Sequence, residues 1–69
     1  MTRPQIEQLR KRLKFVSGCE VQIKEGLHGL EVYFQNVNDT NRFFRKVIPI
    51  LEDAADHHGV SFSIQIVRG

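Results

Sequence analysis

The chain has one cysteine, Cys19, in 69 residues. A lone cysteine forms no internal disulfide, and no paired Cys or Cys/His spacing suggests a zinc site. The expected setting is reducing and cytoplasmic. Long apolar runs are missing too. Nothing approaches the ~18 residues that a membrane-crossing helix needs. The opening "MTRPQIEQLRKRLK" lacks the apolar core of a secretory signal. No GxxxxGK[ST] or GxGxxG occurs, which excludes phosphate cradles of those types. A single compact domain over residues 1–69 is expected. A domain this small buries only about 60% of the surface its unfolded chain exposes, which leaves no room for a cleft between two lobes.

Charge is present but unevenly placed. The net charge is only +2. Residues 1–15 carry Arg3, Arg10, Lys11, Arg12 and Lys14 against Glu7, while the remainder is net negative.

The pattern reads as five elements with short joins. "TRPQIEQLRKRLKF" predicts a helix. Thr2 and Gln5 have capping-box spacing, and proline is tolerated in a first turn. Ile6, Leu9 and Leu13 make a core-facing stripe, and Ser17-Gly18 stops the helix. "CEVQIKE" and "LEVYFQ" alternate with period two, as half-buried strands do. The glycines of "GLHG" between them predict a hairpin, with Gly26 or Gly29 at positive φ.

"NDTNRFFRKVIPILEDAADHHG" predicts a second helix, capped by Asn38 or Asp39 and ended by Gly59. Pro49 either splits this helix or bends it. The apolar arc (Phe43, Phe44, Val47, Ile48, Ile50, Leu51, Ala54, Ala55, His58) stays in phase across Pro49, so a continuous helix with a convex, outward proline is preferred. "VSFSIQIV" closes the chain as a strand with Val60, Phe62, Ile64 and Ile66 facing inward.

The fold class expected is α+β. It is a two-layer α/β sandwich in the order α-β-β-α-β, with a three-stranded, mainly antiparallel sheet and both helices on one face. The last strand could lie beside the first, antiparallel, or beside the second, parallel. The open face would carry Glu20, Gln22, Lys24, Glu31, Tyr33, Gln35, Ser61, Ser63 and Gln65. The two sheet edges are available for pairing.

Several groups could carry chemistry. Asp53, Asp56, His57 and His58, with distant His28, resemble a metal set only loosely. A helix C-terminal histidine that interacts with the dipole explains the pair more simply. His28 in the hairpin could serve a small nuclease as general acid or base, but no second base or anion stabiliser is identifiable beside it. Cys19 opens a strand on its inward side, as a small hydrophobe does. The basic candidates are Arg10, Lys11 and Lys14 on the first helix and Arg42, Arg45 and Lys46 on the second. If the two groups merge, they form a patch able to contact phosphates. Glu7 is spaced to pair with Lys11.

The tail "ILEDAADHHGVSFSIQI" resembles the closing helix and strand of KH RNA-binding domains. A helix split at Pro49 would extend that likeness to the element order. "RKVIPI" stands where that family has its glycine loop.

These features favour a small non-catalytic interaction protein without cofactor or metal. It would bind a macromolecular partner, or itself, through a helix surface or sheet edge. Nucleic-acid binding through the six basic residues is the alternative, and a histidine-dependent nuclease using His28 and His57 comes third.

Overall fold

The computed structural model describes residues 1–67. Its elements are α1 (Arg3–Ser17), β1 (Glu20–Glu25), β2 (Leu30–Gln35), α2 (Thr40–His58) and β3 (Phe62–Val67). This is the expected α-β-β-α-β order in two layers.

Local chemistry fixes the ends. Thr2 and Gln5 form the capping box: Thr2 Oγ1 accepts from the Gln5 N–H at 3.4 Å, and Gln5 Oε1 accepts from the Thr2 N–H at 2.9 Å. Asp39, not Asn38, caps α2, its Oδ1 accepting from the Arg42 N–H at 3.1 Å. Gly18 and Gly59 end the helices in the left-handed conformation, where a Cβ is unfavourable. Pro49 lies inside a continuous α2 and is exposed. The helix therefore does not split, and the element order of the KH arrangement does not arise.

The sheet is mixed rather than mainly antiparallel. Its order is β1-β2-β3; β1 pairs antiparallel with β2, and β2 pairs parallel with β3. The physical reason lies in the short joins. Ser17–Cys19 turns α1 straight into β1, so α1 covers that side of the sheet. α2 takes the other side and delivers β3 next to β2. In the hairpin the Gly26 N–H donates to the Gly29 carbonyl at 2.7 Å. Gly29, at φ 151°, is the residue that needs the freedom: a Cβ there would run into the Ser61 carbonyl. That same carbonyl accepts from the Leu30 N–H at 2.8 Å and starts the β2–β3 ladder.

The core comprises Leu9 and Leu13 of α1, Val21, Val32 and Phe34 of the sheet, and Phe43, Val47 and Leu51 of α2. Phe34 and Phe43 meet edge to face with ring centroids 4.6 Å apart. Leu13, Val21, Val32, Phe34 and Val47 are fully buried; they lie on α1, β1, β2 and α2, and none is on β3. The third strand contributes only partly buried side chains, Phe62 and Ile64. The core is thus centred on β2, and β3 lies at its margin.

Candidate functional site

The margin at β3 combines a partly exposed apolar stripe with a groove beside α2. By alternation Phe62, Ile64 and Ile66 all face the helix layer. Yet Phe62 and Ile64 are only half-buried, and Ile66 is 40% exposed. The inward orientation read for Ile66 is right, but the cover over it is incomplete. Between α2 and β3 runs a groove of about 150 Å³ lined by Ile48, Leu51, Glu52, Ala55, Phe62 and Ile64. Its lining is apolar apart from Glu52.

The backbone beside this groove is also unpaired. Ser61 and Val67 direct their carbonyls at β2, accepting from the Leu30 and Asn36 N–H groups. In a parallel ladder the bonding residues alternate, so Ser63 and Gln65 face β2 as well, and Phe62, Ile64 and Ile66 turn their N–H and C=O outward. The two edges of the sheet differ in how they are protected. β1 carries Glu20, Lys24 and Glu25; β3 carries no charged residue. Edge strands are ordinarily guarded by charge, and β3 lacks that guard.

The six basic candidates lie toward one end of the helix layer but are not collected on one flank. Arg10 donates from Nε to both carboxylate oxygens of Glu7, at 3.0 and 3.1 Å. Glu7 therefore pairs with Arg10 instead of the expected Lys11. The Arg10 hydrogen bond holds the Glu7 carboxyl below its ordinary pKa, opposed by some desolvation and helped by the charges of Arg10 and Lys11. Lys14 Nζ lies 2.9 Å from Glu20 Oε1 of β1. Arg10 and Lys14 thus sit on the flank turned toward β1, each with an acidic partner. Arg42 and Lys46 line a concavity with Ser17, Gly18 and Asn36. Arg45 is exposed and, three residues before Ile48, belongs to the β3 flank of α2. Lys11 is exposed on the outer arc of α1.

Two exposed apolar side chains went unassigned from sequence. Phe15 is 88% exposed in the last turn of α1, and Leu27 is 94% exposed at the hairpin tip. Phe15 falls outside the Ile6–Leu9–Leu13 stripe, so the helical wheel already carried that signal. Leu27 stands in a loop, where no periodicity speaks.

The histidines lie apart. His57 and His58 touch edge to face, with ring centroids 4.7 Å apart, beside Arg12, Asp53 and the first turns of α1. His28 is in the hairpin loop. Among the described residues no three His, Cys, Asp or Glu side chains group so as to hold a metal ion. Cys19 is half-buried, its backbone N–H donating to Ser17 Oγ at 3.2 Å. On the open face Tyr33 donates to Glu31 Oε1 at 2.7 Å, and Lys24 Nζ lies 5.2 Å from the Tyr33 ring centre. That hydrogen bond to Glu31 raises the Tyr33 pKa above its ordinary value, with desolvation and the Glu31 charge adding to it. Among the described residues no helix is long and apolar enough to cross a membrane.

Neither the family models, nor the curated proteins, nor the solved structures compared with this chain gave a match. The likeness of the tail to KH domains therefore carries no further argument.

Proposed function

We propose that this protein is a cytoplasmic, non-catalytic interaction module that receives an extended strand on the free edge of β3. The observation behind this reading is the combination at β3: an uncharged edge strand whose apolar side is half-exposed beside the α2 groove. Main-chain hydrogen bonds to Phe62, Ile64 and Ile66 would supply affinity, and side chains seated against Ile48 and Ala55 would supply selectivity, as in other strand-addition complexes.

Ile64→Lys tests the reading. A lysine at the centre of the edge guards it by charge and desolvation. Its long stem can reach solvent from a half-buried site, so the fold survives, as circular dichroism would verify. Wild type and Ile64→Lys are used as baits side by side. Any partner that wild type captures, including itself, should be lost on the variant. Equal capture by both would refute the reading.

The second reading is nucleic-acid binding. Phe15 favours it: an exposed ring one turn after Lys11, at the same end of the molecule as Arg42 and Lys46, offers a stacking platform within positive charge. Affinity for a single-stranded oligonucleotide should then fall steeply with salt and weaken in Phe15→Ala. A flat salt response would remove it.

A further inference from the structure

The β3 edge fits one occupant in particular. Resting on the reading of β3 as the binding edge, we propose that it takes a second copy of the same chain, related by a two-fold axis through Ile64, to make a continuous six-stranded sheet.

The register follows from which groups are free. Phe62, Ile64 and Ile66 turn their N–H and C=O outward, and in an antiparallel pair such residues must oppose one another. Only the register that sets Ile64 against Ile64, and Phe62 against Ile66, uses all three residues of both chains. Directly opposed residues project to the same face, so both apolar stripes remain on the helix side. The two α2 helices then lie antiparallel along the seam.

Charge gives an independent reason for a second copy. The first half of α2 holds Arg42, Arg45 and Lys46, and its second half holds Glu52, Asp53 and Asp56. The terminal positions suit the helix macrodipole, with Asp39 at the N-cap and His57-His58 in the last turn, but between them the charge is segregated along the helix. Across a two-fold axis this segregation becomes favourable, because the basic half of one helix meets the acidic half of the other. Arg45, Ile48, Glu52 and Ala55 follow at i, i+3, i+7 and i+10, the flank that faces the seam. With the axis near Ile48, Arg45 of each chain faces Glu52 of the other.

The size fits a weak, transient complex. Six strand residues at about 3.3 Å each give a seam roughly 20 Å long, and a strand layer plus a helix layer is about 20 Å deep. The resulting roughly 400 Å² per chain is about half of the ~800 Å² per partner that a standard interface uses. It is a small part of the 5078 Å² accessible on the chain. The total of roughly 800 Å² lies below the ~1,200 Å² at which stable specific interfaces begin, so the dimer is expected to be weak and to dissociate on dilution.

The test is sedimentation equilibrium on wild type, Arg45→Glu, Glu52→Arg, the double exchange and Ile64→Lys. Wild type should show a monomer–dimer equilibrium. Each single charge reversal replaces two attractions by two repulsions and should weaken it at least about tenfold. The double exchange should recover most of that loss, and Ile64→Lys should be monomeric. Amide exchange in wild type should show protection of Ile64 rising with concentration. A strictly monomeric wild type overturns the second copy as occupant and leaves the β3 edge to be judged by the bait comparison. A dimer insensitive to Ile64→Lys overturns both. A dimer sensitive to Ile64→Lys, with no recovery in the double exchange, overturns the antiparallel seam and retains the edge.

Discussion

Replacing Pro49 by alanine should stabilise this protein. Pro49 is exposed within a continuous α2, and it has no N–H to offer the Arg45 carbonyl one turn earlier. An interior proline costs a helix ~3 kcal/mol relative to alanine. Two corrections reduce the gain here. Arg45 is exposed, so water already serves its carbonyl, which takes about 1 kcal/mol off that penalty. Alanine also frees the unfolded chain, which costs about 0.4–1 kcal/mol. The remainder is a net gain of about 1–2 kcal/mol. Stabilities of about 0.05–0.15 kcal/mol per residue make that a substantial fraction of the total for so short a chain. The assay is urea unfolding followed by circular dichroism, with wild type and variant at one protein concentration because association adds to apparent stability. The midpoint should rise with an unchanged slope, and the melting temperature should rise by roughly 5–15 °C. A lower midpoint would refute the reasoning. It would mean that proline at this position is required for Val47 and Leu51 to reach the sheet together, and is structural rather than tolerated.

Gly29→Ala should cost at least about 2 kcal/mol, because φ 151° is unfavourable for alanine and the new Cβ meets the Ser61 carbonyl. Gly18→Ala is its control: φ is 70° but no atom lies within 4 Å, so about 1 kcal/mol is expected, and equal losses in the two variants would contradict the Ser61 contact. Tyr33 should ionise above its ordinary value of 10.0 in the folded protein, read by absorbance, because deprotonation removes the donor to Glu31 and sets two anions together. The folded pKa is raised, so the associated stability is present below the unfolded value and is lost as pH rises through the folded one. Glu31→Gln should bring the titration back toward the ordinary value, and an unchanged midpoint would show that the hydrogen bond is not its cause.

Much of this fold was legible because its faces are periodic. The Ile6–Leu9–Leu13 stripe, the alternation from Val21 to Phe34 and the in-phase arc across Pro49 all report which side of an element is apolar. None of them reports which strand is a neighbour. β3 buries the same residues beside β1 or beside β2, so period-two patterning is silent on the choice. The short join at Ser17–Cys19 decides it by giving the space over β1 to α1. The candidate site was less legible for the same reason. β3 is an edge strand in either order, and how far the helix layer covers it sets whether Ile64 and Ile66 are core or surface, which no local signal carries. The basic residues were easy to list but hard to place, since Lys14 takes its partner from Glu20 across a helix–strand turn.

The difference between the two edges bears on what kind of assembly is possible. Pairing β1 of one copy with β3 of the next would be head-to-tail and open, and such contacts propagate into fibres. Glu20, Lys24 and Glu25 oppose that by keeping the β1 edge charged. Pairing β3 with β3 would be self-complementary and closed, because one contact would consume the unguarded β3 edge of each chain. The proposed sheet would end in two β1 strands, both charged and both beside α1, so growth would stop at two copies. The same distribution that leaves β3 bare therefore limits what its exposure can do. A variant that strips β1 of charge by Glu20→Gln, Lys24→Gln and Glu25→Gln together should convert concentration-dependent dimers into larger species by light scattering. Persistence of the dimer alone would show that the β1 charges are not what closes the assembly.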